Sequence, residues 1–347
     1  MKKIYFGTNL KMYKNNQEVK NYLIKISNNL SKINTKHKIE FFIIPSYTSL
    51  ESAMNIIHYQ KSSPPIIIGA QNMNANEKGQ FTGEISPLML QELGVQLVMI
   101  GHSERRHLMG ETDQEENQKV LSSLKHNFIT LLCIGETLEQ KNYHISDEIL
   151  RMQLKIGLNG VSIEQLPNLR IAYEPVWAIG TSGIPASAEY ANNKHQIIKE
   201  CLIEIFGKPG NDIPILYGGS VNQENASNLI IQPYIDGLFV GRSAWDADQF
   251  HSLIQESITA YENNENGYSE TALLLIKYLG GKDNIGALTH CATRIRVILK
   301  NETKIDKIGI EKINIVKGIF SVANQFQIIF GKHIVDEVYL TLKNLLN

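Results

Sequence analysis

Leu97-Val98-Met99-Ile100 runs directly into Gly101-His102-Ser103-Glu104-Arg105-Arg106, and Ile129-Thr130-Leu131-Leu132-Cys133-Ile134 runs into Gly135-Glu136-Thr137. Each apolar run is too short for a helix and is nearly continuous, as a strand buried on both faces should be. Between them, Glu115–His126 carries helix-like periodicity. The same unit recurs outward in both directions. Ile4–Phe6, Phe41–Ile44 and Ile66–Ile68 precede it, and Leu169–Tyr173, Ile215–Tyr217 and Leu238–Val240 follow. Helix-like stretches separate them, among them Gln17–Leu30, Ser86–Leu93, Ala188–Ile205 and Asn222–Ile231. Eight strand–helix units in about 250 residues predict an α/β fold, a (β/α)₈ barrel. The rival is an open doubly wound sheet. No Gly-x-Gly-x-x-Gly follows the first strand and no Walker Gly-Lys-Ser/Thr occurs, which argues against nucleotide-binding versions of it.

The chain has 347 residues, more than one barrel needs, and two domains are expected. At 43% hydrophobic and 20% charged residues it has the composition of a soluble globular protein. No apolar run reaches the ~20 residues of a membrane-spanning helix, and the opening Met1–Asn9 reads as a strand rather than a signal peptide. Cys133, Cys201 and Cys291 are far apart and form no Cys-x-x-Cys pair. That pattern suits a reducing cytoplasm and predicts neither a disulfide frame nor a metal site.

The expected boundaries are a barrel over 1–261, a polar, turn-rich linker over 262–268 (Glu262-Asn263-Asn264-Glu265-Asn266-Gly267 at its centre), and a second unit over 269–347. A helix from Ala247 to Tyr261 would end the barrel. In the tail, Thr271–Leu279 reads as an apolar helix closed by Gly280-Gly281. Arg294–Leu299 and, less cleanly, Gln325–Phe330 alternate like strands, and Val335–Leu346 reads as a last helix. This predicts a small α+β domain. From Ser269 onward there are 11 Lys+Arg against 7 Asp+Glu, but no basic block of the kind that binds nucleic acid.

Catalytic groups of such barrels stand at the C-terminal ends of the strands. Those ends carry Asn9 and Lys11, His102, Glu174, Gly218-Gly219-Ser220 and Gly241-Arg242-Ser243. A base, an imidazole, a cation and two glycine-containing turns suit proton transfer beside a carbonyl in a small phosphorylated substrate.

Seven collinear segments resemble the triosephosphate isomerase family over about residues 3–261: Asn9–Met12, Gly69–Asn72, Phe81–Ser86, Ile100–Arg106, Cys133–Thr137, Tyr173–Thr181 and Leu216–Val221. The resemblance implies interconversion of glyceraldehyde 3-phosphate and dihydroxyacetone phosphate without a cofactor. It implies that Glu174 is the base, that His102 polarises the carbonyl as a neutral imidazole, and that Lys11 stabilises negative charge with Asn9 positioning it. Backbone N–H groups near Gly180, Ser220, Gly241 and Arg242 would hold the phosphate. Pro175-Val176-Trp177 would be the first hinge of a lid. The Gln80–Gly83 loop would enter a second subunit, making a homodimer. Two departures stand out: Arg242 replaces a glycine frequent in the family, and the second hinge is Ser182-Gly183-Ile184-Pro185-Ala186. Glu104 and Glu136 are expected to be structural partners, Cys133 a packing residue and Cys201 inert.

The tail resembles the IIB domain of the glucose type in the sugar phosphotransferase system over about residues 268–346. The likeness rests on Leu279–Ile285, Cys291-Ala292-Thr293-Arg294-Ile295-Arg296-Val297 and Asn324–Gly331. It implies that Cys291 carries a phosphoryl group received from a IIA-type donor protein. The residues suit that chemistry: Arg294 and Arg296 would share one strand face, lower the thiol pKa and fit phosphate oxygens. His290 beside the cysteine is a departure. Two other readings stay open, an isomerase whose tail only senses or docks a partner, and a non-catalytic scaffold.

Overall fold

The computed structural model describes residues 3–60, 62–180, 183–322, 325–331 and 334–346. The sequence segments reaching Thr181, Ser182 and Asn324 therefore lie partly outside the described residues. The chain divides into two compact units, Met1–Ile258 and Thr259–Asn347.

The first unit is a closed barrel of eight parallel strands: β1 (Lys3–Asn9), β2 (Lys38–Ile44), β3 (Ile66–Ala70), β4 (Leu97–Ile100), β5 (Ile129–Ile134), β6 (Leu169–Tyr173), β7 (Ile215–Tyr217) and β8 (Gly237–Val240). β8 returns to β1, with Phe6 opposite Leu238 and Thr8 opposite Val240. Side chains such as Tyr5, Phe42, Leu97, Leu131, Leu216 and Phe239 fill the interior. Phe42 sets one local limit: a Cβ at Gly7 would lie 2.0 Å from its ring, so the strand must carry glycine there. The helices follow from amphipathic spacing. Asn16–Leu30 starts at a capping box of Asn15 and Glu18 and buries Val19, Leu23, Ile26 and Leu30, one stripe of its surface.

At the N-terminal end of the barrel, Arg170 on β6 grips Glu40 on β2 through Nε–Oε1 and Nη2–Oε2, both 3.1 Å, and Lys3 Nζ reaches Glu40 Oε2 at 2.5 Å. Burial pushes the Glu40 carboxyl up, but the hydrogen bonds and charges of Arg170, then of Lys3, more than offset this and hold it below the ordinary value.

The second unit is a four-stranded antiparallel sheet: β9 (Ile285–Cys291), β10 (Arg294–Leu299), β11 (Gly318–Val322) and β12 (Gln325–Ile329), in the order β11-β12-β10-β9. Ile295, Val297, Phe326 and Ile328 join Leu275 of one helix, Leu279 just past its end, and Val338 and Leu342 of another in a separate core. Those helices are Ala247–Tyr278 and Val335–Leu346. The turn-rich reading of Glu262–Gly267 is corrected here, because these residues lie inside the helix Ala247–Tyr278. Their helix propensities are poor by tenths of a kcal/mol, and Gly267 by ~1 kcal/mol, but no proline interrupts them and apolar helical turns lie on both sides. The stop comes at Gly280 and Gly281, with φ of +90° and +95°. Among the described residues no helix is long and apolar enough to cross a membrane.

Arg170→Ala would leave the buried Glu40 carboxylate with Lys3 as its remaining cationic partner, and a loss of about 1.5–3 kcal/mol is expected in urea unfolding at neutral pH. Because the folded pKa of Glu40 is depressed, its contribution in the wild type is present above the unfolded pKa and is lost as pH falls through the folded one, so the two proteins should converge in acid.

Candidate active site

The C-terminal ends of the barrel strands bring Asn9, Lys11, His102, Glu174, Gly180, Ser220, Gly241 and Arg242 around one cavity of about 500 Å³. Every barrel residue singled out from the sequence as a site residue lines it.

Lys11 sits two residues past β1 in a left-handed conformation, φ +50°, uncommon outside glycine and costly to hold. Three neighbours fix it. Asn9 Oδ1 accepts from its backbone N–H at 2.8 Å, Gln71 Nε2 donates to its carbonyl at 2.8 Å, and Glu104 Oε1 accepts from its ammonium at 2.6 Å. Gln71 also donates to Asn9 Oδ1 at 3.3 Å. Glu104 and Gln71 thus position the cation.

His102 follows β4 and caps the helix Ser103–Leu108. The backbone N–H of Glu104 donates to His102 Nδ1 at 3.2 Å. That bond needs a lone pair on Nδ1, so the ring carries its proton on Nε2. Nε2 faces Glu174 Oε1 at 3.7 Å. Glu174 follows β6, is only 3% exposed, and its Oε2 has no hydrogen-bond partner among the described residues. A Cβ at Gly218 would come within 2.8 Å of Glu174 Cγ, so glycine at the end of β7 leaves the carboxylate its space. Behind it, burial first and the Glu174 charge second push the Cys133 thiol far above its ordinary value, which keeps it a protonated packing group.

The glycine turns form the rest of the wall. Gly180 has φ +86°, while Arg242 starts a short 3₁₀ turn, Arg242–Ala244, with no left-handed backbone, so a side chain fits where glycine was expected. Asn225 Nδ2 holds the Ser220 carbonyl at 2.9 Å. Pro175 opens the turn Val176–Ala178, and Glu136 anchors it: the completely buried carboxylate accepts from Trp177 Nε1 at 2.9 Å, from Tyr190 Oη at 2.9 Å and from Tyr173 Oη at 3.1 Å. Ile184 N donates to Trp177 O at 3.2 Å on the return.

Glu104 and Glu136 are the structural partners expected of them, whereas sequence reasoning missed the weight of Gln71. Gln71 follows the last residue of β3 and could have been found by the strand-end rule. It also missed Tyr13 and Trp245, which line the cavity and pack with ring centroids 4.2 Å apart, the Trp245 indole N–H donating to Asn9 O at 3.0 Å. No spacing rule links those two positions.

In the second unit, Cys291 ends β9 directly opposite Arg294 on β10, with Thr289 opposite Arg296. Cys291, Arg294 and Arg296 therefore share the sheet face away from the core residues Ile295 and Val297. Arg294 Nη1 donates to Gln327 Oε1 at 2.9 Å. The Cys291 thiol is drawn below its ordinary value, first by the Thr293 backbone N–H, then by that of Arg294 and by the charges of Arg296 and Arg294, against the opposing effect of burial. His290 points to the other face, with Nε2 3.0 Å from Asp336 Oδ1 and its ring stacked on Tyr339.

A parallel barrel that gathers a buried carboxylate, an imidazole, a lysine and glycine turns at one mouth holds the groups that proton transfer beside a carbonyl requires. Comparison with known proteins narrows this. A profile described as "Triosephosphate isomerase" matches residues 4–257, and one described as "phosphotransferase system, EIIB" matches residues 274–306. The chain is 40% identical to the L-erythrulose-1-phosphate isomerase of Rhizobium etli over 75% of its own length and 95% of that protein. It is 38% identical to the triosephosphate isomerase of Carboxydothermus hydrogenoformans over 74% of its length and the whole of that protein. Among solved structures, triosephosphate isomerase from Bartonella henselae superposes with a TM-score of 0.64 at 30% identity, covering 73% of this chain and 98% of that one. The chain belongs to the triosephosphate isomerase family, and it carries a phosphotransferase-system IIB domain behind its barrel.

The thiol environments separate the three cysteines. At neutral pH a chromogenic disulfide reagent should titrate one thiol per native chain quickly and none in Cys291→Ser, because Cys133 and Cys201 are buried and their thiols are pushed up. Rapid labelling of Cys133 would contradict this structure.

Proposed function

We propose that the barrel interconverts glyceraldehyde 3-phosphate and dihydroxyacetone phosphate by proton transfer through an enediolate. The observation that carries the reading is the facing pair Glu174 Oε1 and His102 Nε2, 3.7 Å apart in a buried pocket that also holds Lys11. Glu174 takes the proton from the hydroxyl-bearing carbon and returns it to the neighbouring carbon. His102 donates its Nε2 hydrogen to the carbonyl oxygen as charge develops there, and the Lys11 ammonium stabilises the enediolate. Backbone at Gly180, Ser220, Gly241 and Arg242 takes the phosphate, and closure over it from the Glu136-anchored hinge excludes water.

A second substrate is favoured by the names of relatives at 40% and 42% identity, L-erythrulose-1-phosphate isomerases of Rhizobium etli and Rhizobium meliloti. That ketose contains the same phosphate–CH₂–CO–CHOH unit as dihydroxyacetone phosphate, with a hydroxymethyl group added on the hydroxyl-bearing carbon. The same three side chains serve both, so the added group must be accommodated by the cavity wall alone.

Turnover of each substrate by the intact protein decides between them through kcat/KM. Glu174→Gln should lower kcat by about a hundredfold to ten-thousandfold with either substrate. A folded wild type inactive on both would refute the isomerase reading. Exposed Met12, Phe81, Leu108 and Met109 support a homodimer, for which light scattering of the same preparation should give twice the 39.1 kDa chain mass.

For the second unit, we propose that Cys291 accepts a phosphoryl group from a IIA-type phosphohistidine protein, the thiolate displacing the histidine nitrogen at phosphorus. The lowered thiol pKa and the shared face with Arg294 and Arg296 support it. Incubation with such a donor should add one phosphate per chain, absent in Cys291→Ser. Failure with several active donors would leave the domain a docking or sensing module.

A further inference from the structure

We propose that the Arg242 side chain, and not only its backbone, is a ligand of the substrate phosphate, which makes the site select dianionic phosphate esters through a guanidinium. The inference rests on the reading of the barrel as a sugar-phosphate isomerase and deepens it.

The cavity at the barrel mouth contains two permanent cations, Lys11 and Arg242. Lys11 is engaged, its ammonium held by Glu104 at 2.6 Å. Arg242 is exposed and has no carboxylate partner among the described residues, although it lines the same wall as Gly180, Ser220 and Gly241. The other acid in the cavity, Glu174, lies at the reaction centre facing His102. A guanidinium offers two parallel N–H donors to phosphate oxygens, a fit that a lysine ammonium lacks.

The backbone that carries Arg242 is fixed. Trp245 N donates to Arg242 O at 3.0 Å and Ala244 N to Gly241 O at 2.9 Å. The Ala244 carbonyl accepts from Tyr22 Oη at 2.7 Å, and the Trp245 ring is pinned to Asn9 O and Tyr13. The turn therefore holds the Arg242 backbone in place at the cavity wall, and only the side chain must be ordered when phosphate binds.

The experiment compares wild type, Arg242→Ala and Arg242→Lys. It measures direct calorimetric binding of inorganic phosphate, steady-state kinetics with triose phosphate, and slow isomerisation of unphosphorylated glyceraldehyde. The expected result for Arg242→Ala is a loss of about ten- to a hundredfold in phosphate affinity and a similar rise in KM. Arg242→Lys should recover part of it, and kcat/KM should fall by a smaller factor for glyceraldehyde than for triose phosphate. Equal phosphate affinity and KM in wild type and Arg242→Ala would overturn the proposal, as would an equal loss with glyceraldehyde, which marks a merely structural role. If Arg242→Ala does not fold, a lysine variant with wild-type phosphate affinity overturns it. A wild type that binds phosphate through Arg242 yet isomerises neither sugar phosphate would instead refute the activity and leave the phosphate ligand standing.

Discussion

The barrel mouth is organised around one carboxylate held out of water, Glu174, and its immediate neighbours are shaped to it. Glu174 is nearly fully buried, and Oε2 has no partner among the described residues. An unsatisfied buried polar group carries a desolvation cost that the surrounding packing must offset. That packing is visible on each side. Glycine at 218 removes the atom that would collide with it, and the Cys133 thiol stays protonated behind it. His102 meets it in one tautomer because a backbone amide occupies the other ring nitrogen. The strained Lys11 backbone is a second such cost, met by Asn9, Gln71 and Glu104 together.

The two units treat anions in different ways. The barrel surrounds its cavity with glycine turns, a lysine already tied to a glutamate and an arginine that is not. The second unit sets a cysteine opposite an arginine on the exposed face of a sheet, where the thiol is drawn toward the thiolate by nearby N–H groups and positive charge. A deep cavity can shield a small molecule from water, and a sheet face leaves a sulfur within reach of a larger one.

The barrel was legible because parallel strands buried on both faces leave uninterrupted apolar runs, and because strand ends fall where short polar motifs begin. Asn9, His102 and Glu174 could be read directly from that grammar. The helix Leu50–Gln60 was missed: it buries only Leu50 and Ala53, so its apolar stripe is weak. β9 was missed because it is an edge strand with most side chains exposed, and its Gly286, Thr289 and His290 show no alternation. The polar stretch after Tyr261 has the composition of a linker yet is helical, since helix on both sides overrides weak local propensity. Tyr13 and Trp245 lie far apart in the chain, and only closure of the barrel makes them neighbours.

The hydrogen bond from the Trp245 indole to the Asn9 carbonyl joins residues 236 positions apart. During synthesis, the loop that carries Lys11 emerges first and its brace emerges after the last barrel strand. A nascent chain halted just before β8 therefore holds the Lys11 loop through Asn9, Gln71 and Glu104 but without the Trp245 bond to the Asn9 carbonyl. Contacts of such long sequence separation form late and slowly. The last hydrogen bond that braces the Lys11 loop thus waits for the first and last strands to meet.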